Sequence, residues 1–130
     1  MLFRSTTQGQ WAYGTPTGGG NTDPTSGYTG PNVYGYNLAG NYTNSMPAYN
    51  LTSTAFNCTG FTRVRISFWR ELGIESSTYD KASFSVSTNG TTWTPVWQHS
   101  GATINDPTWV KVSYDISTIA DNQQIGRAHV

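Results

Sequence analysis

The chain has 130 residues, the length of one domain, and its seven Lys/Arg balance seven Asp/Glu. Charged residues are only 11% of the total, which excludes a polybasic nucleic-acid arm, an acidic solvating tail and strong electrostatic steering. Aromatics at 14%, with 14 glycines and abundant Thr, Ser and Asn, describe instead an all-β domain rich in turns, because β-branched and aromatic residues suit a pleated, half-buried surface.

No window approaches the roughly 20 apolar residues of a membrane span, so no membrane insertion is expected. Met1-Leu2-Phe3-Arg4-Ser5 opens no apolar stretch long enough for a signal peptide. Few charges, many hydroxyls and Asn-x-Ser/Thr sequons at Asn41, Asn50, Asn57 and Asn89 nonetheless point to a secreted or cell-surface setting. Residues 1–10 are therefore read as a segment ahead of the domain, internal to a longer secreted protein.

Residues 9–31 form a turn-rich entry punctuated by Gly18-Gly19-Gly20, Asp23-Pro24 and Gly30-Pro31. The triple glycine lacks the Lys-Ser/Thr of a phosphate-binding loop. Strands are expected over 32–38 and 48–54. The pattern is clearer over 63–69, where Val64, Ile66 and Phe68 alternate with Arg65 and Ser67. Over 81–87, Ala82, Phe84 and Val86 alternate with serines, and Asn89-Gly90 supplies a tight hairpin turn before the return over 91–97. Over 109–116, Val110, Val112, Tyr114 and Ile116 share a face. No segment has sustained helical periodicity. Short strands joined by Gly, Pro and Asn turns imply a two-sheet antiparallel sandwich, jelly roll or immunoglobulin-like.

The chain closes on Ile125-Gly126-Arg127-Ala128-His129-Val130. That hexapeptide is what ATC GGA AGA GCA CAC GTC encodes, part of a widely used sequencing adapter. Residues 125–130 are accordingly expected to be read-through without functional meaning. The domain would then run over 11–124 and lack its final strands, leaving an unpaired edge prone to self-association.

Several runs together resemble the MAM-like jelly-roll modules of bacterial secreted and cell-surface proteins. They are Trp11 to Gly20, Val33-Tyr34-Gly35-Tyr36-Asn37-Leu38, Phe68-Trp69-Arg70, Gly73-Ile74-Glu75, Tyr79-Asp80, Ser87 to Trp93 and Tyr114-Asp115-Ile116-Ser117. Such modules sit beside immune-inhibitor-A-like metalloproteases or within large surface proteins. The resemblance covers about residues 11 to 124, with the collinear order of the motifs carrying its weight. It implies a non-catalytic accessory or adhesion domain. These modules close with further strands carrying a cysteine and paired acidic residues, so the resemblance also implies that Cys58 pairs with a cysteine absent from this chain.

Read from the residues alone, Cys58 has three roles open to it: half of a disulfide, an inert buried thiol, or a nucleophile. A Cys–His enzyme would need His99, which is expected in a polar turn with no residue to orient it. Glu71 and Glu75 stand at i and i+4 of a strand, the placement of a glycosidase acid and nucleophile. The intervening Gly73, however, marks a bulge or bend rather than the Asp that jelly-roll glycosidases carry there. Asn21 and Asp23 in the glycine-rich loop, with Asp80 from another, are candidate ligands for a structural calcium ion, against the plain alternative of turn chemistry. His and Cys are too few for a closed zinc site. Ser87 to Trp93 is similar to an Asp-box hairpin but lacks its Asp.

The aromatics are the remaining candidates. Trp69 and Trp109 fall opposite the apolar stripes of their strands, so a sheet surface is expected to expose rings. Flat rings stack on sugars or anchor a protein partner. Trp69, Trp109 and Tyr36 are therefore the expected surface for a glycan, a protein surface or an adjacent domain of a longer chain. Nucleic acid is excluded because stacking platforms for it come with a basic groove. The competing readings are a Glu71/Glu75 glycoside hydrolase and a purely structural spacer.

Overall fold

The structure, a computed structural model, describes residues 5–20, 22–125 and 127–129, with side chains as far as residue 124. In chain order its strands are β1 (Thr6–Thr7), β2 (Trp11–Gly14), β3 (Val33–Tyr36), β4 (Leu51–Thr52), β5 (Phe56–Asn57), β6 (Arg65–Arg70) and β7 (Gly73–Ile74). There follow β8 (Ser83–Ser87), β9 (Thr94–Gln98), β10 (Ile104–Asn105), β11 (Val110–Asp115), a single helical turn α1 (Ser117–Ala120), β12 (Gln124–Ile125) and β13 (Arg127–His129). Among the described residues no helix is long and apolar enough to cross a membrane. Apart from α1 the fold is all-β, and among the described residues every strand pair is antiparallel.

One sheet runs in the order β1-β4-β13-β8-β9, and β6–β11, β2–β3, β7–β10 and β5–β12 are separate pairs. Thr6 and Thr7, ahead of the expected domain start at Trp11, pair with Thr52 and Leu51. The backbone of Arg127–His129, in the segment read as appended, pairs with Ser85–Ser87 and, at His129, with Thr52.

The core lies where β8 faces the β6–β11 pair. Alternation in β6 turns Ile66 and Phe68 inward, and the register sets them opposite Tyr114 and Val112. They meet Phe84 and Val86, which the same alternation buries on β8. The Phe68, Phe84 and Tyr114 rings form a triangle with centroids 5.5, 5.6 and 6.3 Å apart, spacings at which aromatic pairs attract. Ile116 and Ala120 close one end of this cluster. Val110, expected on the inner stripe of β11, lies opposite Arg70 at the end of the pair and is 37% exposed. The arrangement is sandwich-like, with apolar side chains of two sheets packed against each other.

The hairpin expected at Asn89-Gly90 forms, but its connection is wider than a two-residue turn. β8 stops at Ser87 and β9 begins at Thr94, and only Gly90 of the central pair has positive φ (+77°). Side chains explain the wider loop. Ser87 Oγ accepts from the Asn89 and Gly90 amides, and Asn89 Oδ1 accepts from those of Thr91 and Thr92 at 2.9 and 2.8 Å. A register shift between Phe84 and Ser85 then lets β9 pair with β8 around a bulge.

Candidate functional site

The entry loop is bound in place by its own polar groups. Thr15 Oγ1 donates to Asn32 Oδ1, the Thr17 amide to the Leu38 carbonyl, and the Gly20 amide to Asp23 Oδ2 at 2.9 Å. So anchored, the loop reaches the side of β6 that faces away from the core. There the Tyr28 ring stacks on Trp69, with centroids 3.6 Å apart and planes at 14°. Farther along, Thr22 comes so close to Gly73 that a Cβ on that glycine would collide with its hydroxyl. Gly73 thus serves a close approach of loop to strand as well as the bend after β6.

Trp69 is outward-facing as its position in the alternation requires, and it is 39% exposed even beneath Tyr28, which is itself 51% exposed. Lys111 stands opposite it on β11. Trp109 is half-buried just before β11. Tyr36 belongs to a different cluster. It lies in β3 with its ring edge-on to Trp11 (5.8 Å) and stacked with Tyr49 (6.1 Å), while Trp11 Nε1 donates to the Tyr49 carbonyl. Tyr28 is the ring the sequence did not single out. A tyrosine in a loop carries no periodic signal, and its partner is remote along the chain.

The acidic residues separate into two groups. β6 ends at Arg70 and β7 pairs with β10 instead of β11, so Glu71 and Glu75 flank a change of strand partner rather than sharing one continuous strand. This overturns the i, i+4 argument for a carboxylate pair. Glu71 stands near Asp106 and Asp23. Burial, then the charges of Asp106 and Asp23, push its carboxyl above the ordinary value. Asp106 is buried and bound on three sides, by Arg70 Nε (2.9 Å), Arg70 Nη2 (3.2 Å) and the Leu72 amide (2.9 Å). Glu75 belongs to the second group: its amide donates to Asp80 Oδ2, which also accepts the Tyr42 hydroxyl. Burial and then this hydrogen bond push the Tyr42 hydroxyl up to about 12.

Asp23 and Asp80, expected to share an ion with Asn21, therefore have separate hydrogen-bond partners. Asn21 lies outside the described residues. Among the described residues no group of three or more His, Cys, Asp and Glu gathers in a way that could hold a metal ion. His99, expected in a polar turn, is 6% exposed, and its Nε2–H donates to the Glu75 carbonyl at 2.7 Å. Its Nδ1 is buried without a hydrogen-bond partner. Cys58 is a half-buried free thiol packed against the central cluster. His99 is engaged instead with Glu75 and, at 6.3 Å, the Trp97 ring.

No family model matches the chain, and neither a curated protein nor a solved structure does.

Proposed function

We propose that the chain is a non-catalytic binding module of a secreted or cell-surface protein, a MAM-like jelly roll, and that it takes a glycan on the outer face of the β6–β11 pair. The observation that carries this reading is the Tyr28–Trp69 stack. Two large rings held face to face, one 39% and the other 51% exposed, present an aromatic patch on a solvent-facing sheet surface. Sugars offer C–H faces to such rings and hydroxyls to nearby polar groups. Lys111 opposite Trp69, with Ser67 and Ser113 paired one step further along the same face, supplies those groups. The neutral net charge fits an uncharged ligand better than nucleic acid.

Electrophoresis of the chain in gels containing plant, fungal or bacterial polysaccharides tests the reading. The parent chain is expected to be retarded by at least one of them. Trp69→Ala and Tyr28→Ala are expected to weaken that binding about tenfold, or about 1.4 kcal/mol. Unchanged mobility in every gel would overturn the glycan reading. Release of sugar from any gel would move the chain to the hydrolase class.

A further inference from the structure

The loop between β8 and β9, which the candidate site does not use, gathers the groups of one reaction. Asn89-Gly90 is the one Asn-Gly pair in the sequence, and Asn89 is exposed. The backbone nitrogen that follows an asparagine can attack that residue's side-chain carbonyl carbon, and glycine, with no Cβ, hinders this nitrogen least. Two requirements hold the attack back. The nitrogen must give up its proton, and the carbonyl oxygen must carry the charge that develops as the bond forms. The loop has groups placed for both.

Ser87 Oγ accepts from the Gly90 amide at 2.8 Å and donates its own hydrogen to Asn89 Oδ1 at 3.0 Å. One hydroxyl thus bridges the attacking nitrogen and the oxygen that becomes charged, and at 2% exposure its side chain is held in that position by packing. The Thr91 and Thr92 amides also donate to Oδ1, at 2.9 and 2.8 Å, the arrangement of an oxyanion hole. The bond from Thr91 closes a ring that contains both Asn89 Cγ and the Gly90 nitrogen, which keeps the reacting atoms together.

We propose that this loop is a self-modifying site, in which Asn89 cyclises onto Gly90 while Ser87 relays a proton and the Thr91 and Thr92 amides hold the charge. The Gly90 nitrogen bonds to Asn89 Cγ as its proton passes to Ser87 Oγ and the serine's own proton passes to Oδ1. The Cγ–Nδ2 bond then breaks, the proton on Oδ1 is transferred to Nδ2, and ammonia leaves a succinimide behind. Water opens that ring at either carbonyl, giving aspartate or its β-linked isomer at position 89. No oxidation or reduction occurs, and the chain, of zero formal net charge, gains one negative charge in the loop.

Peptide mass mapping of the full chain, incubated at 37 °C in one mildly alkaline buffer with and without denaturing urea, follows succinimide and deamidated product at Asn89. The folded chain is expected to react about tenfold faster than the unfolded one, because Ser87 and the two amides converge on Asn89 only in the folded loop. Ser87→Ala is expected to slow the folded chain about tenfold and to leave the unfolded rate unchanged. Thr92→Pro removes one donor to Oδ1 at an exposed position and is expected to slow the folded chain about tenfold as well. Near-ultraviolet circular dichroism checks that each variant is folded. A folded rate equal to or below the unfolded rate would overturn the proposal, and so would a folded Ser87→Ala that reacts as fast as the parent. If Ser87→Ala does not fold, a Thr92→Pro that reacts as fast as the parent would overturn it instead.

Discussion

Two carboxylates, Asp106 and Asp80, each order a loop by accepting several hydrogen bonds at once. Asp106 neutralises Arg70 and satisfies the Leu72 amide where β6 ends, which lets the chain leave one sheet pair and enter the next. Removing the carboxylate leaves Arg70, largely buried beside the Trp97 ring, without its counter-charge. Asp106→Ala is therefore expected to cost about 3 kcal/mol, read as a lower urea midpoint at unchanged slope. Asp80 organises the neighbouring loop through Tyr42 and the Glu75 amide. Tyr42→Phe leaves that carboxylate short of a donor and is expected to cost about 1–2 kcal/mol at neutral pH. The pH dependence of the same residue has a definite sign. The folded hydroxyl ionises near 12 and the unfolded one near 10, so the unfolded chain loses its proton first. The stability Tyr42 contributes is present below pH 10 and declines as pH rises toward 12. Unfolding measured by urea at pH 9 and pH 11 is expected to show this loss in the parent and a smaller one in Tyr42→Phe.

At the level of strands, period-two alternation sets which side chains face inward, and the hairpin loop sets how β8 meets β9. Gly90 has φ of +77° with open space where a Cβ would stand, so its substitution is resisted by backbone conformation alone. Gly90→Ala is expected to destabilise by about 1 kcal/mol, seen as a lower melting temperature, with the β8–β9 pairing retained because Asn89 and Ser87 still bind the loop amides. The strands whose alternation is legible in the sequence, β6, β8 and β11, are five or six residues long; β9 follows from the turn at Asn89-Gly90, and β3 and β4 fall within the expected 32–38 and 48–54. Strands of two residues, such as β5, β7 and β10, carry no period, and their partners are fixed by tertiary packing. The same limit divides the candidate site. The outward direction of Trp69 follows from the parity of its neighbours Phe68 and Arg70. Its cover by Tyr28 does not, because the path of a glycine-rich loop depends on contacts such as Thr22 on Gly73 that leave no pattern in the sequence. Tyr36 was separable from Trp69 only once the register placed it against Trp11.

The whole molecule depends on a small apolar centre. Phe84, Val86, Ile116 and Ala120 are its buried members, and β6, β9 and β11 reach it only with partly covered side chains such as Ile66, Trp97 and Tyr114. A chain of this size buries too little surface to tolerate a large hole, since net stability is a small difference between opposing terms. Phe84 is 3% exposed and joins the two sheets directly, with Phe68 and Tyr114 both packed on its ring. Phe84→Ala removes a ring from both contacts and is expected to cost about 3–5 kcal/mol. A loss of that scale takes away a large part of the stability of an ordinary small domain. The variant is expected to lose its near-ultraviolet circular dichroism and sharp thermal transition at 37 °C, while Phe84→Leu keeps a cooperative but earlier melt. If Phe84→Ala melted as sharply and as late as the parent, the two sheets would not be joined through this ring, and the outer face that presents Tyr28 and Trp69 would need another support.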